Sequence, residues 1–201
     1  MRNSILLIVI ISFFACTNAP KNEVAESAAT EIVIKGEAQG TTYTIKYLAE
    51  EYEEGLKEHF DQLLDDIDMS MSTYVPNSKI SRLNAGDTIE LDDLFLEVYN
   101  LSYSINKKTD GAFDPTIGPL IKAWGFDFAN PQKMDSALVA SLLESSGFDK
   151  FIVDGKQMYR TNDAARINFN AVAQGYSVDV MAKILDQMKV ENYYIELGGE
   201  L

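Results

Sequence analysis

Cysteine occurs once in the 201 residues, at Cys16, and histidine once, at His59. A single thiol excludes an internal disulfide framework and any cysteine-based zinc site. A lone imidazole on a predicted helix face leaves no histidine metal cluster and argues against a serine–histidine relay. Basic residues are scarce: 17 Lys and Arg stand against 31 Asp and Glu, a formal net charge of −14. With no Lys/Arg run interleaved with aromatics to offset that charge, the sequence argues against nucleic acid or an anionic membrane surface as partner. It also lacks a G-x-x-x-x-G-K-[ST] loop and a helix-opening G-x-G-x-x-G, which speaks against P-loop and Rossmann enzymes. What remains is 46% hydrophobic and 24% charged, enough apolar content for the core of one soluble domain.

The amino terminus reads as a targeting segment. Met1-Arg2-Asn3 is a short positive start, and Ile5 to Phe14 is an apolar run broken only by Ser12. That run is too short to span a bilayer but suits a signal-peptide core. It ends in Phe13-Phe14-Ala15-Cys16, which resembles a bacterial lipobox with Cys16 as the lipidated residue. Residues 1–15 are therefore expected to be a lipoprotein signal peptide. The polar, Ala/Ser-rich stretch over 16–30 is expected to be a flexible tether, and the folded domain to occupy 31–201. An exported, membrane-anchored protein is implied.

Along the mature chain, "EIVIKGEAQGTTYTIKYLA" alternates as two antiparallel strands do. From Glu53 to about Asp68 the apolar residues Leu56, Phe60, Leu63, Leu64 and Ile67 have helical spacing. Asp92 is placed to cap a second helix carrying Leu94, Val98, Leu101 and Ile105 on one face. A third helix is expected from Asp135, stopping before Gly147 as a glycine terminator. "KFIVDGKQMYR" reads as a hairpin turning at Asp154-Gly155. A long helix after Asn170 carries Tyr176, Val180, Met181, Ile184, Leu185 and Met188, and leads into "NYYIEL", read as an interior strand. Strands and helices without strict βαβ alternation predict an α+β fold. An interior strand needs a neighbour on each side, so the chain reads as unfinished at its carboxyl end.

Three stretches have the composition of ligand-holding loops. "MSMSTYVPNSKISRLNAG", from Met69 to Gly86, displays Tyr74 before Pro76, either as a surface for a flat ring or as packing on the core rim. "KTDGAFDPTIGPLIKAWGF", from Lys108 to Phe126, combines glycine turns, prolines, Asp110, Asp114 and Trp124. Its Asp114 is a candidate pocket carboxylate or the cap of a helix starting at Pro115, and the two roles are compatible. "INFNAVAQGYSVD", from Ile167 to Asp179, puts small residues where a helix begins, and unpaired N–H groups there suit an anion.

In this order the stretches resemble the ApbE family of FAD:protein FMN transferases. The carrying residues are Gln39-Gly40-Thr41-Thr42, Met71-Ser72-Thr73-Tyr74, Gly111-Ala112-Phe113-Asp114-Pro115-Thr116-Ile117-Gly118-Pro119-Leu120 with Trp124-Gly125-Phe126, Asn170-Ala171-Val172-Ala173-Gln174-Gly175-Tyr176 and Gly198-Gly199. The resemblance implies an ApbE-like (T-fold-like) mixed sheet with packed helices. It implies that Tyr74 stacks on the flavin ligand and that Gln39, Ala112, Phe113 and Asp114 line an FAD site beside Asn168 and Gln174. It also implies that the Ala171 carbonyl binds Mg²⁺. The implied chemistry is transfer of FMN from FAD to a Thr or Ser hydroxyl of an acceptor protein, releasing AMP; some relatives hydrolyse FAD instead. Implied acceptors are subunits of Rnf and Na⁺-translocating quinone reductase complexes. Asn168 stands where Asp is frequent in the family, and Gln174 where Lys or Glu is frequent. An amide keeps hydrogen bonding there and loses the charge. The family's remaining metal ligands, an Asp and a Thr, and a histidine implicated in proton transfer, lie beyond the Gly-Gly turn and have no counterpart here.

Overall fold

The structure is a computed structural model and describes residues 29–126 and 129–201. The expected signal peptide, the lipidation site Cys16 and the tether as far as residue 28 lie outside the described residues. Strands β1 (Thr30–Ala38) and β2 (Thr41–Ala49) form the expected antiparallel hairpin. Its turn is Gln39-Gly40, with φ of 53° and 72°. Two successive positive φ values give the loop the twist of the strands it joins. Alternation sends Ile34, Tyr43, Ile45 and Tyr47 inward.

Gly36 faces Tyr43 across the two strands, and a Cβ there would lie 2.4 Å from the tyrosine ring. The ring occupies the space a side chain would need. Its hydroxyl donates to Asp61 at 2.6 Å, and Lys57 donates to the same carboxylate at 2.5 Å. Burial opposes charge on Asp61, but the bonds from Lys57 and Tyr43 outweigh it and hold the carboxyl below its ordinary range.

Helix α1 (Leu56–Met71) and helix α6 (Ala173–Gln187) pack on the inner face of this sheet. Leu56, Phe60 and Leu64 from α1 meet Val178, Met181 and Leu185 from α6 and Ile34, Ile45 and Ile195 from the strands. Full burial of such a side chain contributes about 1.5–3 kcal/mol. Strand β6 (Tyr193–Leu197) pairs antiparallel with β2, so the sheet order is β1-β2-β6 and the interior strand is β2. Among the described residues β6 pairs on one side only, with β2, which matches the expectation that its second neighbour is not supplied by this sequence. Its last residue, Leu197, exchanges both backbone bonds with Glu200 at 3.0 Å across Gly198-Gly199.

A second apolar cluster starts where α1 ends. Ile67 and Met71 join helix α2 (Lys79–Ala85), helix α3 (Asp93–Lys108), and a small antiparallel sheet. That sheet has the order β3-β5-β4, from β3 (Ile89–Glu90), β4 (Phe151–Asp154) and β5 (Gln157–Arg160). The fold is α+β, as its pattern predicted, and all named strand pairs are antiparallel.

Several local expectations change. α1 starts at Leu56, after a left-handed Gly55, and runs on to Met71. Helix α2 was hidden inside the stretch read as a loop, although Ser78 caps it and Gly86 ends it at φ 115°. Asp92 does cap α3, accepting from Phe95 N–H at 2.7 Å. On α3 Phe95, Val98 and Ser102 are buried and the expected Leu94 packs half-buried against the same cluster; Phe95, outside the expected face, meets Phe169 edge-on with centroids 5.3 Å apart. Leu101 is exposed. Helix α5 (Ser136–Leu143) starts at Asp135 as expected, with Asp135 as its cap, but it ends four residues before Gly147, so that glycine does not terminate it. The β4–β5 turn is Gly155-Lys156, since Asp154 pairs with Gln157.

Candidate functional site

A cavity of about 610 Å³ opens where the two clusters meet. Its walls come from the β1–β2 turn (Gln39, Gly40), the end of α1 (Ile67, Asp68, Met71), the loop after it (Ser72, Tyr74, Val75), and the start of α6 with the turn before it (Asn170, Ala173, Gln174). Residues far apart in sequence therefore line one cavity.

Gln39 is held in an uncommon backbone conformation with its amide oriented. Its Nε2 donates to Ser177 Oγ at 2.7 Å, and that hydroxyl spends its own hydrogen on the Ala173 carbonyl at 2.9 Å. The hydroxyl therefore has only acceptor capacity left for Gln39, which fixes the amide with its oxygen pointing away. That oxygen is buried and has no hydrogen-bond partner among the described residues.

Tyr74 presents an exposed ring at the opposite wall, and its hydroxyl accepts from Asn170 Nδ2 at 3.4 Å. Pro76 stops helix propagation near it, and α1 ends at Ser72 in an extended conformation. α6 begins without a side-chain cap; Val172 occupies the cap position. Ala173 and Gln174, its first two residues, line the cavity. Gly198, at φ 59°, packs on the same corner: a Cβ there would lie 2.8 Å from Thr41 Cγ2 and 2.9 Å from Gln174 Nε2.

Asn168 sits just behind the wall and is 6% exposed. Its Oδ1 accepts from Asn170 N–H at 2.8 Å, leaving Nδ2 buried without a partner among the described residues. Its own N–H donates to the Pro115 carbonyl at 2.8 Å, which ties this segment to the Asp114 loop. Asp114 itself does not cap a helix. Its Oδ1 accepts from Thr116 N–H at 2.8 Å and Thr116 Oγ1 at 2.6 Å, and helix α4 (Gly118–Ala123) starts later, after Ile117. The fully buried Thr116 hydroxyl also accepts from Gly147 N–H at 2.6 Å, so its burial holds Asp114 in this local turn.

Of the residues singled out in the sequence, Gln39, Tyr74 and Gln174 come together on the cavity wall. Ala112, Phe113 and Asp114 lie on the neighbouring loop and do not line the cavity. Ala171 is exposed, and the first backbone bond of α6 runs from Tyr176 N–H to the Val172 carbonyl, which leaves the Ala171 carbonyl outside the helix ladder. Asp68 was not singled out. It lies inside a helical pattern, and only the cavity reveals it.

Residues 39–201 match the sequence model of the ApbE family. The chain belongs to the ApbE family. It is 32% identical over 184 residues to the FAD:protein FMN transferase of Haemophilus influenzae, covering 85% of this chain and 53% of that protein. Its fold is similar to that of the flavin transferase ApbE from Vibrio cholerae, with a TM-score of 0.76 and 28% identity, covering 85% of this chain and 58% of that one. The flavinyl transferase ApbE of Pseudomonas stutzeri in its apo form matches with a TM-score of 0.77 and 27% identity, over 86% of this chain and 58% of that one. The chain thus spans a little over half the length of these ApbE relatives.

Proposed function

We propose that this chain forms the flavin-holding part of an FAD:protein FMN transferase. The observation that carries the reading is the cavity itself. It joins Gln39, Tyr74 and Gln174, positions separated along the chain, and they are the positions that the family motifs mark. Tyr74 offers a ring face for stacking, and the amides of Gln39, Asn170 and Gln174 offer neutral donors and acceptors around it. In the proposed reaction an acceptor Thr or Ser hydroxyl oxygen forms a bond to the FMN phosphorus. The bond from that phosphorus to the AMP oxygen breaks, AMP leaves with the electron pair, and the hydroxyl proton is released. Subunits of Rnf and Na⁺-translocating quinone reductase type are the proposed acceptors.

The family resemblance also implies Mg²⁺, whose chemistry is to offset charge on phosphate oxygens. Ala171 supplies one neutral oxygen. No group of three His, Cys, Asp or Glu side chains able to hold a metal occurs among the described residues. A hard cation takes several oxygen ligands, so the residues present do not fit a complete magnesium site. The role assigned to this chain is accordingly to bind and orient the flavin.

The test is a fluorescence titration with FAD. Tyr74→Ala is expected to weaken binding by about 1–2 kcal/mol, as loss of an aromatic stacking surface does. Equal affinity in the folded variant would remove the cavity as the flavin site. Covalent flavin on a co-expressed acceptor, seen as in-gel fluorescence, separates transfer from hydrolysis of FAD.

We further propose that the protein is an exported lipoprotein anchored through Cys16, on the strength of the lipobox-like Phe13-Phe14-Ala15-Cys16. Each buried acyl CH₂ contributes about 0.8 kcal/mol, and two chains hold a protein stably. Cys16→Ser is expected to move it from the membrane fraction to the soluble one or to leave its leader uncleaved. An unmodified mature amino terminus at another residue, found by mass spectrometry, would refute the anchor.

A further inference from the structure

Asp68 is the only acidic side chain among the described residues lining the cavity. It stands in the last turn of α1, where its carbonyl accepts from Ser72 N–H at 3.0 Å. The other partly buried aspartates of the fold are engaged: Asp61 by Tyr43 and Lys57, Asp92 by Phe95 N–H and Ser70, Asp114 by Thr116. The Asp68 carboxylate has no hydrogen bond or ion pair among the described residues. Its surroundings disfavour charge for three separate reasons. Burial, and after it the neighbouring Asp65, raise its pKa above the ordinary carboxylate value. The carboxyl end of a helix, where it sits, carries the negative end of the helix dipole. A side chain that costs stability where it stands, on the wall of a binding cavity, has the placement of a functional group.

We propose that Asp68 accepts a hydrogen bond from an N–H group on the edge of a planar heteroaromatic ring that stacks at Tyr74. Asp68 and Ser72 are four residues apart, hence on one side of the α1 terminus, and Tyr74 follows on the same cavity wall. The tyrosine reads the face of the ring and the carboxylate reads its edge. The inference rests on the flavin reading of the cavity. FAD carries such an N–H on each ring system, the isoalloxazine imide and the adenine amino group, and FMN and AMP present them one at a time.

The experiment uses the full chain with Asp68→Ala and Asp68→Asn. Without ligand, both variants are expected to melt at or above the wild-type temperature at pH 7, because an unfavourable charge is gone. A raised folded-state pKa means stability is lost as pH rises through the carboxylate range, so this gain shrinks in acid. With FAD, Asp68→Ala is expected to bind about tenfold or more weakly, the loss typical of a hydrogen bond to a charged group. Asp68→Asn, which keeps an acceptor oxygen, is expected to lose less. A loss seen with FMN and not AMP assigns the contact to the isoalloxazine, and the converse to the adenine; either supports the proposal. Wild-type affinity for FAD in Asp68→Ala overturns it. So does a lower ligand-free melting temperature in both variants, which marks a structural role. A wild-type chain that binds none of FAD, FMN and AMP overturns the flavin reading itself, and that result is distinct from the other two.

Discussion

Gly36→Ala is expected to destabilise the protein, although the same change in a strand ordinarily helps. Removing a strand glycine's backbone freedom normally stabilises by about 0.5–1 kcal/mol. At Gly36 the new methyl group would lie 2.4 Å from Tyr43 Cε1 and 2.6 Å from both Cζ and the hydroxyl oxygen. Tyr43 has no room to yield, because it is fully buried and its hydroxyl is tied to Asp61. Overpacking of this kind costs about 1–3 kcal/mol, or roughly 2–12 °C in melting temperature for a domain of this size. Gly36→Val is expected to cost more. Combining Gly36→Ala with Tyr43→Leu is expected to lose less than the two changes do separately, since the shorter side chain vacates the contested space. A Gly36→Ala protein that melts at or above the wild-type temperature would show that the ring is not fixed over the glycine.

Gly198→Val is expected to damage both folding and flavin binding. A side chain at φ 59° costs about 1–2 kcal/mol in backbone strain, more for a β-branched residue. Its Cβ would also press on Thr41 Cγ2 and on the Gln174 amide. Thr41 is fixed in β2, so the longer Gln174 side chain is the one that moves, and it forms a corner of the cavity. Gly155 supplies the control, with a φ of 58° and nothing within 4 Å of its would-be Cβ. Gly155→Val carries the backbone strain alone. Melting temperature is expected to fall in both variants, while FAD affinity falls about tenfold or more only in Gly198→Val, as for loss of one or two hydrogen bonds. Equal FAD affinities in the two would mean that Gln174 does not shape the site.

Local chemistry made much of this fold legible. Asp92 caps the helix it was expected to cap and a helix starts at Asp135 as expected, because an N-cap depends on the next three residues and little else. Alternation gave β1 and β2, and helical spacing gave α1 and α6. The failures share a different cause. Whether Asp114 caps a helix depends on the burial of Thr116, which is decided by Gly147 thirty-one residues later. The contact that Phe95 of α3 makes depends on Phe169, and no periodicity within α3 contains that. Resemblance put Gln39, Tyr74 and Gln174 in one site, and the structure brings those three to one cavity; it also named Ala112, Phe113 and Asp114, which stand on the adjoining loop. Asp68 was illegible because an acidic residue in an amphipathic helix looks like any other solvated one. Its place on the cavity wall, without a partner among the described residues, sets it apart.

The hydrogen bond from Gln39 to Ser177 joins residues 138 apart in sequence. With β2 clasped between its sequence neighbour β1 and the distant β6, this means that the cavity is complete only when contacts across most of the described chain are in place. A partly folded chain that had only its central helices in place would have Tyr74 and Asp68 but no opposing wall. Contacts of such long sequence separation form slowly, because loop closure precedes any gain. A ligand in the cavity therefore acts on the whole cooperative unit. At a hundred times its dissociation constant it adds about 2.7 kcal/mol to the stability of the protein. Amides of the β1-β2-β6 sheet that do not line the cavity would register its arrival in their exchange rates.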